Sequence, residues 1–143
     1  MDAIVDYSDP LHRASVIALW DNVFDHPTKH RLPSRSIDMK LAHADRLFFV
    51  ALAGDKVVGT VLAGYDGHRG WLYSVSVDPG QRRQGIGEAL VHHAEAALVR
   101  LGCLKINLQV VNTNTEIVPF YESLGYSVEH HVSMGKRLYD RLD

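Results

Sequence analysis

The feature that most constrains the fold lies between Val77 and Gly87, where one periodicity replaces another. An apolar, β-branched and aromatic run from Trp71 to Val77 reads as a strand and ends at Asp78-Pro79-Gly80. After Gln81-Arg82-Arg83-Gln84, a helical period runs from Gly85 to Leu101, with Ile86, Ala89, Leu90, His93, Ala94, Ala97, Leu98 and Leu101 on one face and Gly102 as its stop. The next strand-like segment, Leu104 to Val111, must return across that helix and so lies parallel to the first. Upstream, Leu47–Ala53 and Lys56–Tyr65 are joined by a tight turn at Gly54-Asp55, and Asp66-Gly67-His68-Arg69-Gly70 is turn chemistry again. Short turns make that meander antiparallel, so the expected sheet is mixed and the class α/β of the α+β type.

The flanks complete the order. Ala3–Tyr7 reads as a strand, and Asp9-Pro10 opens a helix to about Phe24 with Val16, Ile17, Leu19, Trp20 and Val23 as its apolar stripe. Asp25 to Arg35, with Pro27 and Pro33, reads as a loop before a short helix from Ser36 to His43. Val118–Leu124 is a short helix with Pro119 in its first turn, and Val128–Lys136 the last strand.

At 143 residues, with 46% hydrophobic and 22% charged positions, the chain is expected to form a single domain, 1–143, around one core. A net charge of -2 gives no global case for a nucleic-acid partner. The single cysteine, Cys103, excludes an intrachain disulfide and a thiolate-rich metal site. The longest apolar run, Leu47–Ala53, is too short to span a membrane, and Met1–Tyr7 has no signal character, so the expected location is the cytoplasm.

The strand-to-helix junction is also where chemistry is expected. A helix start collects unpaired backbone N–H groups and the positive end of the dipole, which together hold a phosphate or pyrophosphate. Gly85 and Gly87 let an anion approach the backbone, and Arg82 and Arg83 add charge. A nucleotide P-loop is excluded, because Glu88 follows Gly87 where that motif needs lysine; a dinucleotide fingerprint lacks its third glycine near Leu90.

In this segment Arg82, Gly85 and Gly87 match the pattern Arg/Gln-x-x-Gly-x-Gly/Ala, preceded by Val77 and Pro79, and a second signature is met by Asn114, Phe120, Tyr121, Gly125 and Tyr126. The chain thereby resembles the GNAT superfamily of N-acetyltransferases over nearly its whole length, with Met1–Arg46 matching in element order alone. The resemblance implies that acetyl-CoA is the co-substrate and an amine the acceptor. Backbone N–H groups of Arg83, Gln84, Gly85, Ile86, Gly87 and Glu88 would bind the pyrophosphate, with Arg82 beside them. The backbone at Val75 and Val77 would pair with pantetheine, and Asn114 would contact the same arm. The strand around Val75 would splay from the one around Leu108–Val110 to admit the thioester, and an N–H near Val75 would polarise its carbonyl. Tyr121 would be the general acid that protonates the departing thiolate.

Departures from the pattern are few. Arg83 stands where glycine is common, which is harmless if only the backbone binds. Glu88 falls on the solvent side of its helix. No general base is evident: Gln109 occupies a position where some relatives that acetylate protein N-termini carry a carboxylate, and Tyr73, Asp66, His68 and Glu116 are alternatives. Nine histidines do not make a metal site, since His92-His93 and His130-His131 diverge and His26 and His30 flank Pro27 in a loop, so no metal is expected. Lys29, Arg31 and Arg35 read as solvated charge in a segment that, by the resemblance, helps to form the acceptor site. The expected activity is direct acetyl transfer to a primary amine of a small molecule. A protein N-terminal or lysine acetyltransferase is the alternative enzyme, and an acyl-CoA-binding regulatory domain the alternative without turnover. Neither a nucleic-acid nor a membrane partner is expected; exposed sheet edges leave a homodimer open.

Overall fold

The computed structural model describes residues 1–24, 32–111 and 114–138. The chain divides into two compact units, Met1–Leu108 and Gln109–Asp143.

The first unit is a five-stranded sheet in chain order, β1 (Ala3–Asp6), β2 (Phe48–Ala53), β3 (Lys56–Tyr65), β4 (Gly70–Val77) and β5 (Ile106–Leu108). The first four strands pair antiparallel, and β5 joins β4 in parallel. The expected mixed sheet is the observed one. Between β4 and β5 lies α3 (Ile86–Arg100), which crosses one face; α1 (Arg13–Val23) and α2 (Pro33–His43) lie on the other.

Alternation along the strands sets the two core layers. Phe48, Val50 and Leu62 pack with Val16, Leu19, Trp20 and Ile37 of α1 and α2. Trp20 and Tyr7 stack on Phe48 from ring distances of 5.8 and 4.3 Å. The opposite layer holds Ile86, Leu90, Val91, Ala94 and Leu98 of α3, all essentially inaccessible. Each of the Ile, Leu and Val side chains contributes about 1.5–3 kcal/mol relative to an exposed one. Gly59 and Gly70 let α3 sit close, since a Cβ at either would fall within 3 Å of Leu90 or of Leu98 and Cys103. Cys103 is buried there as a small filler, its thiol donating to the Lys105 carbonyl at 3.2 Å.

Several expectations about elements are adjusted. The first helix begins at Arg13, because the Asp9 carboxylate is engaged by the Tyr7 hydroxyl and the Arg13 guanidinium, both at 2.7 Å, instead of capping. The second begins at Pro33, whose fixed φ suits a first turn, so Pro33–Arg35 are not loop; Asp25–Arg31, with His26, Lys29, His30 and Arg31, lie outside the described residues. On α3 the expected face is buried at Ile86, Leu90, Ala94, Ala97 and Leu98; Val91 joins it, and Leu101, past the helix end, is exposed. The strand expected over Leu104–Val111 contracts to Ile106–Leu108, since its partner leaves register after Leu72.

The second unit contains a 3-10 turn (Thr115–Ile117) and α4 (Val118–Ser123), with Pro119 in the first turn as expected. Gly125 follows with φ +95°, a conformation glycine adopts without steric cost. The expected strand over Val128–Lys136 does not form. Val128, Val132 and Met134 alternate along the segment with His130 between them, but all three are exposed, so no apolar face is buried to hold it against a sheet.

Candidate active site

The segment that joins β4 to α3 has the backbone of an anion cradle. Asp78 closes the turn, its carboxylate accepting from the Gly80 N–H at 2.9 Å and pairing with Lys56 at 2.9 Å. Lys56 and the Gly80 N–H hold that carboxyl below the usual aspartate range. Arg82 is extended, Arg83 turns left-handed at φ +66°, and Gly85 caps α3 in the left-handed region at φ +75°. Such turns set successive N–H groups on one concave side. The bond that opens the helix runs from Ala89 N–H to the Gly85 carbonyl, so Ile86, Gly87 and Glu88 supply the unpaired donors of a helix start. Arg82, Arg83, Gln84 and Gly85 are exposed, Ile86 anchors the turn in the core, and Glu88 faces solvent as expected.

Leading into that cradle, β4 changes character halfway. Its ladder with β5 spans only Gly70↔Ile106, Trp71↔Asn107 and Leu72↔Leu108, while the strand runs on to Val77. On the other side, Leu62 pairs with Tyr73 and Thr60 with Ser76, so Val61 alone stands opposite Ser74 and Val75. This is a β-bulge, and Ser74 within it is left-handed at φ +49°. The half of β4 that carries Val75 and Val77 therefore has a kinked backbone and one edge that β5 does not cover.

A buried polar network underlies the bulge. Thr60, Trp20 and Ser76 are 0, 2 and 5% exposed. The Trp20 indole N–H donates to Thr60 Oγ1 at 2.9 Å, Thr60 donates to the Ser74 carbonyl at 2.8 Å, and the Thr60 and Ser76 hydroxyls lie 2.6 Å apart. An indole only donates and a carbonyl only accepts, so Thr60 has a lone pair left for Ser76, and Ser76 is the donor.

Beside the same strand, the Lys40 ammonium is buried and donates to Asp45 Oδ2 at 2.8 Å, to the Tyr73 hydroxyl oxygen at 3.0 Å and to the Ala63 carbonyl. Because Tyr73 accepts from lysine, its own proton is left for another acceptor. Of the other candidate bases, Asp66 accepts from the His68 and Arg69 N–H groups at 2.7 Å, and these bonds lower its pKa. Its carboxylate is thus committed to the turn and is a weak proton acceptor.

In the second unit Tyr121 is half-buried in α4, edge-on to Phe120 and Tyr126 at ring distances of 5.0 and 5.9 Å. Burial pushes its phenol pKa up, which keeps the proton on oxygen at neutral pH. Asn114 precedes the 3-10 turn and is exposed, as is Glu116. Gln109 donates its amide to Ser133 Oγ at 2.6 Å and has no proton-accepting base to offer.

Three features escaped the sequence reading: the bulge, the Thr60 network and the Lys40 cluster. The signals were present as polar residues inside apolar runs, Thr60 in β3 and Ser76 in β4, and as a tryptophan whose N–H needs a partner when buried. Among the described residues no group of three His, Cys, Asp or Glu side chains is placed to hold a metal, and no helix is long and apolar enough to cross a membrane.

Comparison with known proteins matches this arrangement. The sequence model of the Acetyltransferase (GNAT) family fits residues 13–126. The chain is 38% identical over 123 residues to a protein named acetyltransferase from Yersinia pestis (strain Pestoides F), covering 86% of each chain. The fold is similar to glucosamine-6-phosphate N-acetyltransferase from Arabidopsis thaliana, with a TM-score of 0.72, 20% identity and coverage of 95% of this chain and 97% of that one. It is also similar to a chain of the NatC complex bound to Gag peptide and CoA, with a TM-score of 0.72, 19% identity and coverage of 85% and 82%. With the family pattern met over most of its length and the mixed sheet beneath it, the chain belongs to the GNAT acetyltransferase family.

Proposed function

We propose that the protein is an acetyl-CoA-dependent N-acetyltransferase that moves the acetyl group directly to a primary amine, of a small molecule, within a ternary complex. The observation that carries this reading is the run of backbone from the uncovered, bulged half of β4 into the left-handed turns ahead of α3. One continuous stretch thus offers a strand edge for an extended, amide-bearing arm and a helix start for a pyrophosphate. The CoA named in the similar NatC complex supports the same donor.

In this reading Val75 and Val77 pair with pantetheine, as does the Asn114 side chain. The N–H groups of Arg83, Gln84, Gly85, Ile86, Gly87 and Glu88 hold the pyrophosphate, and the Arg82 guanidinium adds charge at its rim. The amine nitrogen attacks the thioester carbon, the C–S bond breaks, and Tyr121 gives its proton to the thiolate. The proton lost by the amine passes to solvent or to one of the candidate bases Tyr73, Asp66, His68 and Glu116; Asp66 is weakened by the turn bonds to its Oδ1, and Tyr73 already accepts from Lys40. Products are the acetamide and CoA. Gln109, held by Ser133 and without a carboxylate's basicity, favours a small amine over a peptide N-terminus.

The test is release of free thiol from acetyl-CoA with a panel of small amines, lysine peptides and N-terminal peptides, beside calorimetric titration with acetyl-CoA. Turnover on small amines is expected. Turnover on peptides alone would move the assignment to a protein acetyltransferase, and tight binding without turnover on any amine would leave an acyl-CoA-binding domain.

A further inference from the structure

We infer that Thr60 is a positioning residue for catalysis: its hydroxyl, locked by Trp20 and Ser76, turns the Ser74–Val75 peptide so that the Val75 N–H faces the acetyl thioester. This deepens the reading of β4 as the acetyl-CoA edge and rests on it.

The Ser74 carbonyl and the Val75 N–H belong to the same trans peptide, in which C=O and N–H point in opposite directions. Thr60 Oγ1 donates to that carbonyl at 2.8 Å and so draws it inward, toward the Trp20 layer and β3. The Val75 N–H is thereby sent the other way, toward the side of β4 that β5 leaves uncovered beyond Leu72. A regular strand would not achieve this, because its carbonyls would be fixed by the ladder. At the bulge the ladder lapses, and a side-chain hydroxyl takes over the ladder's role.

Thr60 cannot turn away from the task. Its proton goes to Ser74, and its two lone pairs accept from the Trp20 indole and the Ser76 hydroxyl, which fills its hydrogen-bonding capacity. All three side chains are within about a twentieth of full burial, where an unpaired polar group is costly and a satisfied chain of donors polarises each member. The left-handed φ of Ser74, +49°, is the strained conformation this network sustains. A preset N–H aimed where negative charge develops is the arrangement that lowers the barrier of acyl transfer, because no reorganisation is needed when the carbonyl becomes an oxyanion.

The test reads the carbonyl itself. Acetyl-CoA labelled with carbon-13 at the acetyl carbonyl is bound to wild type, Thr60→Val and Thr60→Ser, and its C=O stretch is recorded by isotope-edited infrared spectroscopy. Wild type should shift the stretch to lower wavenumber than free acetyl-CoA, Thr60→Ser should match it, and Thr60→Val should return it toward the free value. Acetyl-CoA affinity should stay within roughly threefold across the set, while turnover in Thr60→Val falls about tenfold or more with KM for acetyl-CoA unchanged. If Thr60→Val does not fold, Thr60→Ala removes the same hydroxyl without a methyl beside Ser76 and is read in its place. A stretch shifted equally in wild type and the hydroxyl-free variant would overturn the inference and leave Thr60 as core packing. Bound acetyl-CoA with an unshifted carbonyl in wild type would do the same while leaving the CoA site intact. Absence of any acetyl-CoA binding would sink the enzyme reading as a whole.

Discussion

The two halves of β4 obey different rules. Gly70–Leu72 is flanked by β3 and β5, makes regular ladders on both sides, and at Gly70 lies close against Leu98 and Cys103. Tyr73–Val77 is bulged, has β3 on one side only, and relies on the side chain of Thr60 to hold a backbone carbonyl. The first half is built for stability. The second gives up ladder bonds and a relaxed Ser74, a local defect of the kind that functional backbone carries, and in the proposed reading its open edge and the helix start beside it take acetyl-CoA.

The division predicts that perturbations sort by half. The largest effect is chemical: Tyr121→Phe keeps the ring among Phe120 and Tyr126 but removes the proposed general acid, so turnover should fall about 10²- to 10⁴-fold with acetyl-CoA affinity nearly unchanged. Burial raises the Tyr121 pKa, so the acid stays protonated up to and beyond about pH 10, and any alkaline loss of turnover due to it lies above that value and vanishes in the variant. The same sign governs stability: whatever the neutral phenol contributes is whole below its unfolded pKa and is lost as pH rises through the native one. Near wild-type turnover in Tyr121→Phe, with chemistry rate-limiting, would reduce Tyr121 to packing.

In the closed half, Gly70→Val forces side-chain atoms into Cys103 Sγ and Leu98 Cδ1, already 2.8 and 2.9 Å from the position of a Cβ. It should cost about 1–3 kcal/mol, a fall of roughly 5–10 °C in Tm by thermal denaturation. A Tm matching wild type would show that this half is looser than its geometry. At the helix start the sign of the comparison reverses: Gly87→Val should weaken acetyl-CoA about tenfold or more by calorimetry while leaving Tm nearly unchanged. Arg82→Ala should weaken it only a few-fold, and less as salt is raised, because an exposed guanidinium acts through a screened charge. Smallest is Asp78→Asn. The Asp78 carboxyl has a lowered native pKa, so the stability it lends is present above the unfolded value of about 3.9 and fades as pH falls through the native one. The variant's Tm should therefore trail wild type slightly at neutral pH and converge with it in strong acid.

What the sequence disclosed follows the same line. The meander, the parallel return and the Gly85–Gly87 helix start were legible because periodicity and glycine chemistry are local properties. Pro119 and Gly125 marked their turns for the same reason. The bulge was not legible, because Ser74 and Val75 resemble any strand residues until β3 is laid beside them and Val61 is found facing both. Arg83, in a position where the family pattern often has glycine, adopts the left-handed conformation that suits glycine. The Val128–Lys136 strand failed for the complementary reason: its composition permits extension, but only a ladder partner makes a strand. Tyr121 and Asn114 come from family resemblance alone, and the role of Tyr121 rests on the Tyr121→Phe variant above.

The most direct measurement is a backbone amide NMR titration with acetyl-CoA. The account predicts that the N–H resonances of Val75, Val77 and Arg83 through Glu88 shift on saturation, while those of Gly70 to Leu72 stay nearly fixed. Saturation that leaves the Val75–Glu88 amides unmoved, with the shifts gathered elsewhere on the sheet, would contradict it.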